Sequence, residues 1–217
     1  MQALPGLHLS NFLSAFTENG CIAKLPWLSV AGAQFSVDGS SANEMENSEE
    51  QLEIVNERGE VICLAPRTEV HSNPSLMHRV VHVLVFDPEG KLLLQKRSLT
   101  KDVAPGKWDT SVGGHVGIGE ELSLSAAREM EEELGVSGCD MEYLYSYIYR
   151  SRHETELVST YRCTYSGDIP FNKNEVDEVR FWSLDEIKSA IGKGILSDNF
   201  EDEFRTYLGH TPRTSGP

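Results

Sequence analysis

From Leu52 onward the apolar positions fall into short, regular runs separated by turn residues. Residues 52–55 and 61–64 flank a turn at 56–60 centred on Gly59, a spacing that predicts a hairpin. Residues 79–86 form a run rich in β-branched side chains. The turn Asp87-Pro88-Glu89-Gly90 and a second strand at 91–96 follow. A stretch rich in turn residues then passes through Pro105, Gly106 and Trp108 to Gly113 and Gly114, and reads as a loop. Over 120–134 the period changes to that of a helix. Ala126, Met130 and Leu134 recur at i, i+4 and i+8, and Gly135 stands where a helix stops. Two strands are expected at about 143–152 and 157–165, both rich in Tyr, Val and Thr, and a shorter one at 178–182. Ser183-Leu184-Asp185-Glu186 opens a helix with a capping-box arrangement, and a last amphipathic segment covers about 198–208. Strands and helices mix without regular alternation. The predicted class is therefore α+β or a three-layer α/β/α sandwich, not a doubly wound sheet.

Upstream of this pattern the chain changes character. Residues 1–44 carry only Glu18, Lys24, Asp38 and Glu44 as charges and end in a small-residue stretch at 38–43. With so little to bury, the segment is expected to be a flexible extension, or otherwise not part of the catalytic domain. The domain is assigned to 45–217, with its core at about 50–208. The apolar residues Phe12, Phe16, Trp27 and Leu28 leave docking on the sheet or a homodimer contact as the alternative.

Composition narrows the classes of function. No apolar run approaches the roughly 20 residues needed to span a bilayer, so no membrane association is expected. Met1 to Leu9 lack the basic residues of a signal peptide. Cys21, Cys63, Cys139 and Cys163 form no C-x-x-C pair. Neither a zinc site nor a disulfide scaffold is expected, and reduced thiols in a cytoplasmic protein are. The net charge of −15 argues against a duplex nucleic acid partner. It permits a small phosphorylated substrate, provided that cations lie between carboxylates and phosphates.

The stretch from Gly114 to Val136 carries the chemistry. It is a glycine turn, a short loop, and a helix that places Glu129, Glu132 and Glu133 on neighbouring turns of one face. Three carboxylates held together repel one another unless a hard cation sits among them, and Mg²⁺ or Mn²⁺ suits such oxygen ligands. Arg128, next in sequence, can neutralise and orient one carboxylate from the side. This stretch resembles the Nudix box, G-x5-E-x7-R-E-U-x-E-E-x-G-U with U apolar. Every fixed position is filled: Gly114, Glu120, Arg128, Glu129, Met130, Glu132, Glu133, Gly135 and Val136. A chance match in this chain is on the order of one in ten million. The resemblance implies the Nudix fold, a mixed β-sheet between helices. It implies a pyrophosphohydrolase in which Glu129, Glu132, Glu133 and the Gly114 carbonyl bind Mg²⁺ (or Mn²⁺), and Glu120 and Arg128 steady the loop–helix–loop. Hydrolysis also needs a general base to take a proton from water. Glu132, Glu133, Glu154 and Glu156 are the candidates.

The chain also resembles one Nudix relative, the isopentenyl-diphosphate isomerases, which bind a metal through three histidines and two glutamates. His71, His78, His115, Glu154 and Glu156 match those positions and imply a second metal site, suited to Mn²⁺ or Zn²⁺. The isomerase's essential cysteine would fall at Gly113, so isomerisation is disfavoured. A regulatory Nudix module that binds a nucleotide without turnover is the other alternative, disfavoured because all box glutamates are kept. His82 and His153 read as structural. Tyr145, Tyr147, Tyr149 and Tyr161 read as a cross-strand ladder. Substrate choice is expected to lie in the 97–107 and 150–156 loops, with nucleoside diphosphate derivatives the default that the resemblance implies.

Overall fold

A computed structural model describes residues 49–101 and 103–210, together with the backbone of a two-residue strand at 22–23. The order of elements is β1 (Ile22–Ala23), β2 (Gln51–Val55), β3 (Val61–Pro66), α1 (Arg67–Val70), β4 (Met77–Phe86) and β5 (Leu92–Arg97). There follow β6 (Trp108–Asp109), β7 (Val112–His115), α2 (Leu122–Leu134), β8 (Glu142–Arg150), β9 (Thr155–Thr164) and β10 (Val176–Trp182). Two helices close the described chain, α3 (Leu184–Ala190) and α4 (Asp198–His210).

The strands form one mixed sheet organised around β4. This strand pairs antiparallel with β2, β5 and β7 and parallel with β9. Its near-continuous apolar sequence follows from that position, because both of its faces are covered. Val81, Val83 and Val85 pack with Val112 of β7 and with Ala126, Met130 and Leu134 of α2. Leu84 and Phe86 point the other way, into a second cluster with Tyr145, Trp182, Ile187, Phe200 and Phe204 beneath α3 and α4. The layered α/β class is thus as expected. α2 ends where the sequence places its stop, with Gly135 in the left-handed region at φ 67° and its N–H on the Glu131 carbonyl. The capping box at Ser183 and Glu186 is also formed.

Three local expectations need correction. The stretch before the helix, read as loop, contains β6 and β7. Its glycines and turn residues are poor strand formers, and β7 is a strand because β4 lies beside it and completes its hydrogen bonds. The tyrosines do not form a single ladder. A register shift between Tyr143 and Tyr145 breaks the alternation of β8, so Tyr161 pairs with Tyr143 while Tyr145 and Tyr147 lie against the α4 side. Finally, Cys63 is disulfide-bonded, whereas Cys139 and Cys163 are free. Spacing along the sequence could not reveal that bond.

Of residues 1–44, β1 pairs antiparallel with β3 through Ile22 opposite Leu64 and Ala23 opposite Cys63. The rest of that segment, including Phe12, Phe16, Trp27 and Leu28, lies outside the described residues. Among the described residues no helix is long and apolar enough to cross a membrane.

Candidate active site

β7 brings the box against the sheet. Its register sets Val80 opposite His115, Val81 opposite Gly114 and His82 opposite Gly113. Successive residues of a strand face opposite ways. Gly114 is turned toward α2, and a side chain there would overlap the Glu129 carboxylate, so only glycine lets Glu129 lie against the β7 backbone. Gly113 is turned the other way, toward the ring of His82.

Arg128 joins the box carboxylates. Its Nε donates to Glu120 Oε1 at 3.1 Å, and its Nη2 donates to Glu120 Oε2 at 3.0 Å and to the His115 carbonyl at 3.0 Å. Nη1 donates to Glu129 Oε1 at 2.7 Å and to Glu132 Oε2 at 3.1 Å. These bonds, with one from Gly117 N–H, hold the Glu120 carboxyl down at about 2. Glu129 is shifted the other way, because burial outweighs Arg128. Glu133 is almost fully enclosed, and burial followed by repulsion from Glu129 pushes its carboxyl up to about 8. Its Oε2 accepts from Gln95 Nε2 at 3.0 Å and from Gly113 N–H at 3.3 Å. The sequence reading missed Gln95. Its signal is weak, because Gln95 only opens the polar end Gln95-Lys96-Arg97 of β5 after the apolar run 92–94.

The second group of residues forms two overlapping clusters that share His78. His71 follows α1, His78 lies on β4, His115 ends β7, and Glu154 and Glu156 sit at the start of β9, where Glu156 is opposite His78. Ligand atoms of His71, His78 and His115 all lie within 4.8 Å of one another, as do those of His78, Glu154 and Glu156. His71 Nε2 is 3.0 Å from His115 Nε2, and His71 Nδ1 is 3.4 Å from Glu154 Oε2. His78 is wholly buried, and among the described residues neither of its ring nitrogens has a hydrogen-bond partner. Burial, then the neighbouring His115 and His71, lowers it to about 3, a neutral ring with one nitrogen lone pair to offer. Burial and then Glu154 raise Glu156 to about 7. Imidazoles beside crowded carboxylates are a donor set that suits a transition metal.

The two groups occupy opposite faces of the β4–β7 pair. Glu154 and Glu156 are therefore grouped with the histidines, and Glu132 and Glu133 are the base candidates beside the box. His82 and His153 have the structural places expected of them. His82 Nδ1 lies 3.0 Å from Glu203 Oε1, and the exposed His153 accepts a hydrogen bond from Arg152. The His82 ring also fills the space beside Gly113, its Cδ2 only 3.1 Å from where a side chain would begin. A cysteine at that position would press on it.

A glutamate helix laid against a Gly-Gly strand, with an arginine clamp between, defines a diphosphate-hydrolysing class of protein. The chain belongs to the NUDIX domain family, whose sequence model matches residues 76–200. It is similar to the uncharacterized Nudix hydrolase YfcD of Escherichia coli strain K12, 36% identical over 140 residues that span 64% of this chain and 77% of YfcD. It is also similar to the uncharacterized Nudix hydrolase SCO1686 of Streptomyces coelicolor, 42% identical over 151 residues, 69% of this chain and 83% of the relative. The crystal structure of DR0079 from Deinococcus radiodurans superposes with a TM-score of 0.65 at 26% identity, covering 72% of this chain and 98% of that one. The protein is thus a Nudix enzyme, and its family hydrolyses pyrophosphate bonds.

Proposed function

We propose that the protein hydrolyses the diphosphate linkage of a nucleoside diphosphate derivative or similar phosphorylated metabolite, with Glu129, Glu132, Glu133 and the Gly114 carbonyl as ligands for Mg²⁺ (or Mn²⁺). One observation carries this reading. Two carboxylates, buried Glu133 and half-buried Glu129, lie together against the Gly113–Gly114 backbone, and burial pushes both toward their neutral forms. A cation resolves that conflict. Bound there, it would neutralise phosphate oxygens and lower the pKa of water.

The chain's own groups have separable tasks. Arg128 bridges Glu129 and Glu132 and orients both, and Glu120 keeps Arg128 in place. Gln95 and Gly113 N–H hold Oε2 of Glu133, so the carboxylate is aimed without being neutralised by a cationic side chain. Glu133 or Glu132 receives the proton of the attacking water. The test is a panel of nucleoside diphosphate derivatives with Mg²⁺ and with Mn²⁺, read as released monophosphate or phosphate. Turnover of at least one member is expected. Tight binding across the panel without turnover under either metal would favour the regulatory reading instead.

A second reading concerns the histidines. We infer that His71, His78, His115, Glu154 and Glu156 hold one transition-metal ion, supported by the nitrogens of buried His78, which have no hydrogen-bond partner among the described residues. His78→Ala is expected to lower the Mn²⁺ or Zn²⁺ content by about one equivalent per chain, by elemental analysis. Unchanged content refutes the site. Residues 1–44 are inferred to be an extension to a catalytic domain at 45–217, acting in the cytoplasm on a small phosphorylated substrate. The 45–217 fragment should then match the full chain in turnover, and a large loss would place the extension inside the catalytic unit.

A further inference from the structure

Glu53 is a charged residue in the middle of a buried strand. Its neighbours Leu52 and Ile54 pack in a small core with Cys63, Ala65, Val70 and Leu76, and Glu53 itself is only 3% exposed. Burying a carboxylate is costly unless each oxygen has a strong partner. One oxygen, Oε2, pairs with the Arg79 guanidinium on β4. The other, Oε1, accepts from the backbone N–H of Gly119 at 3.2 Å. Gly119 belongs to the loop between β7 and α2, with φ 69°.

That loop is also held by buried Val116, by Arg128 on Glu120 and by its own turn. Val116 N–H donates to the Arg79 carbonyl at 3.1 Å, and Glu120 N–H donates to the Gly117 carbonyl at 3.0 Å. Gly117 N–H donates to Glu120 Oε2 at 2.9 Å. Glu53 and Arg79 therefore tie both ends of the loop to the sheet, Arg79 at Val116 and Glu53 at Gly119. The loop determines where Glu120 lies, and Arg128 depends on Glu120. Glu53 lies on β2, upstream of the matched residues 76–200.

We propose that Glu53 is a positioning residue for the hydrolytic site. With one oxygen on Gly119 N–H and the other on Arg79, it sets the loop that places the Glu120–Arg128 pair beside the metal-binding carboxylates. The inference rests on the metal-binding reading of the box. It makes the β2–β3 hairpin part of the active site's support and not a decoration of the fold.

The test uses the full chain and three variants. Glu53→Met removes both acceptors, Glu53→Gln keeps an acceptor for Gly119, and Glu53→Met with Arg79→Met removes the acceptor without stranding a buried guanidinium. Mn²⁺ binding is measured without substrate by electron paramagnetic resonance, and the box-bound fraction is the part that Glu133→Gln abolishes. Thermal midpoints are recorded alongside. Metal-supporting residues typically contribute about 10–100-fold in affinity or activity. The expected result is a rise of about tenfold or more in the box Mn²⁺ dissociation constant in both Met variants, a matching fall in kcat, and a KM within about twofold. Glu53→Gln should recover most of the affinity. A double variant that folds and binds Mn²⁺ as wild type overturns the proposal, as does a Gln variant as impaired as Met. If Glu133→Gln removes no Mn²⁺ from the wild type, the box reading falls and this inference with it.

Discussion

Replacing Glu133 with glutamine is expected to lower kcat at saturating Mg²⁺ by at least about a hundredfold, and Glu132→Gln by a similar factor. Both substitutions keep the shape of the side chain and remove an anionic oxygen. At Glu133 the change is the more revealing of the two. Gln95 Nε2 and Gly113 N–H already donate to its Oε2, and a glutamine carbonyl can accept both bonds, so the fold should be preserved. The metal-free protein should even gain stability. Burial, then Glu129, raises the Glu133 carboxyl to about 8, well above its unfolded value. A carboxyl raised in this way favours the folded state at low pH and loses that advantage as pH rises toward 8. At pH 8 the charged side chain therefore weighs against folding and the neutral amide does not. Turnover and thermal midpoint measured together check this. Near-wild-type turnover in both variants at saturating Mg²⁺ would sink the assignment of the box, whatever the midpoints do.

The second large effect is on stability. Glu203→Gln should cost about 3–5 kcal/mol near neutral pH, the range for breaking a buried ion pair by removing one partner. That corresponds to a fall of roughly 10 °C in thermal midpoint for a protein of this size. Glu203 is wholly buried on α4, where its Oε1 also accepts from Thr160 at 2.9 Å. Across from it, burial opposes charge on His82, but the Glu203 carboxylate outweighs burial and raises the imidazole to about 9. A histidine raised above its unfolded value stabilises fully below that value, near 6.5, and loses the contribution as pH rises through 9. The gap in midpoint between wild type and variant should therefore be widest at pH 6.5 and shrink by pH 10. A gap of constant size over that range would mean that Glu203 supports α4 by packing and hydrogen bonds alone. The pair connects stability to the site, because the His82 ring it fixes is the one lying against Gly113.

What could be read from the sequence was what short-range geometry determines. The Glu129, Glu132 and Glu133 face follows from a helix of 3.6 residues per turn. The positions of Ala126, Met130, Leu134 and Gly135 define that helix without reference to anything distant. The hairpin of β2 and β3, the turn into β5 and the capping box at Ser183 are local in the same sense. Tertiary structure decided everything that depends on strand pairing. β7 exists because β4 completes it, and its alternation puts Gly114 under Glu129 while turning Gly113 and His115 to the opposite face. Spacing alone left Glu154 and Glu156 as candidate bases. The parallel pairing of β4 with β9 sets Glu156 beside His78 and groups both glutamates with the histidines. Gln95 and Glu53 reach the box from 38 residues before Glu133 and 66 residues before Gly119. Contacts across such intervals leave no periodic trace in the chain. Their only sign is a polar side chain in or at the end of an apolar run, and only the folded sheet shows which partner each one was placed there to meet.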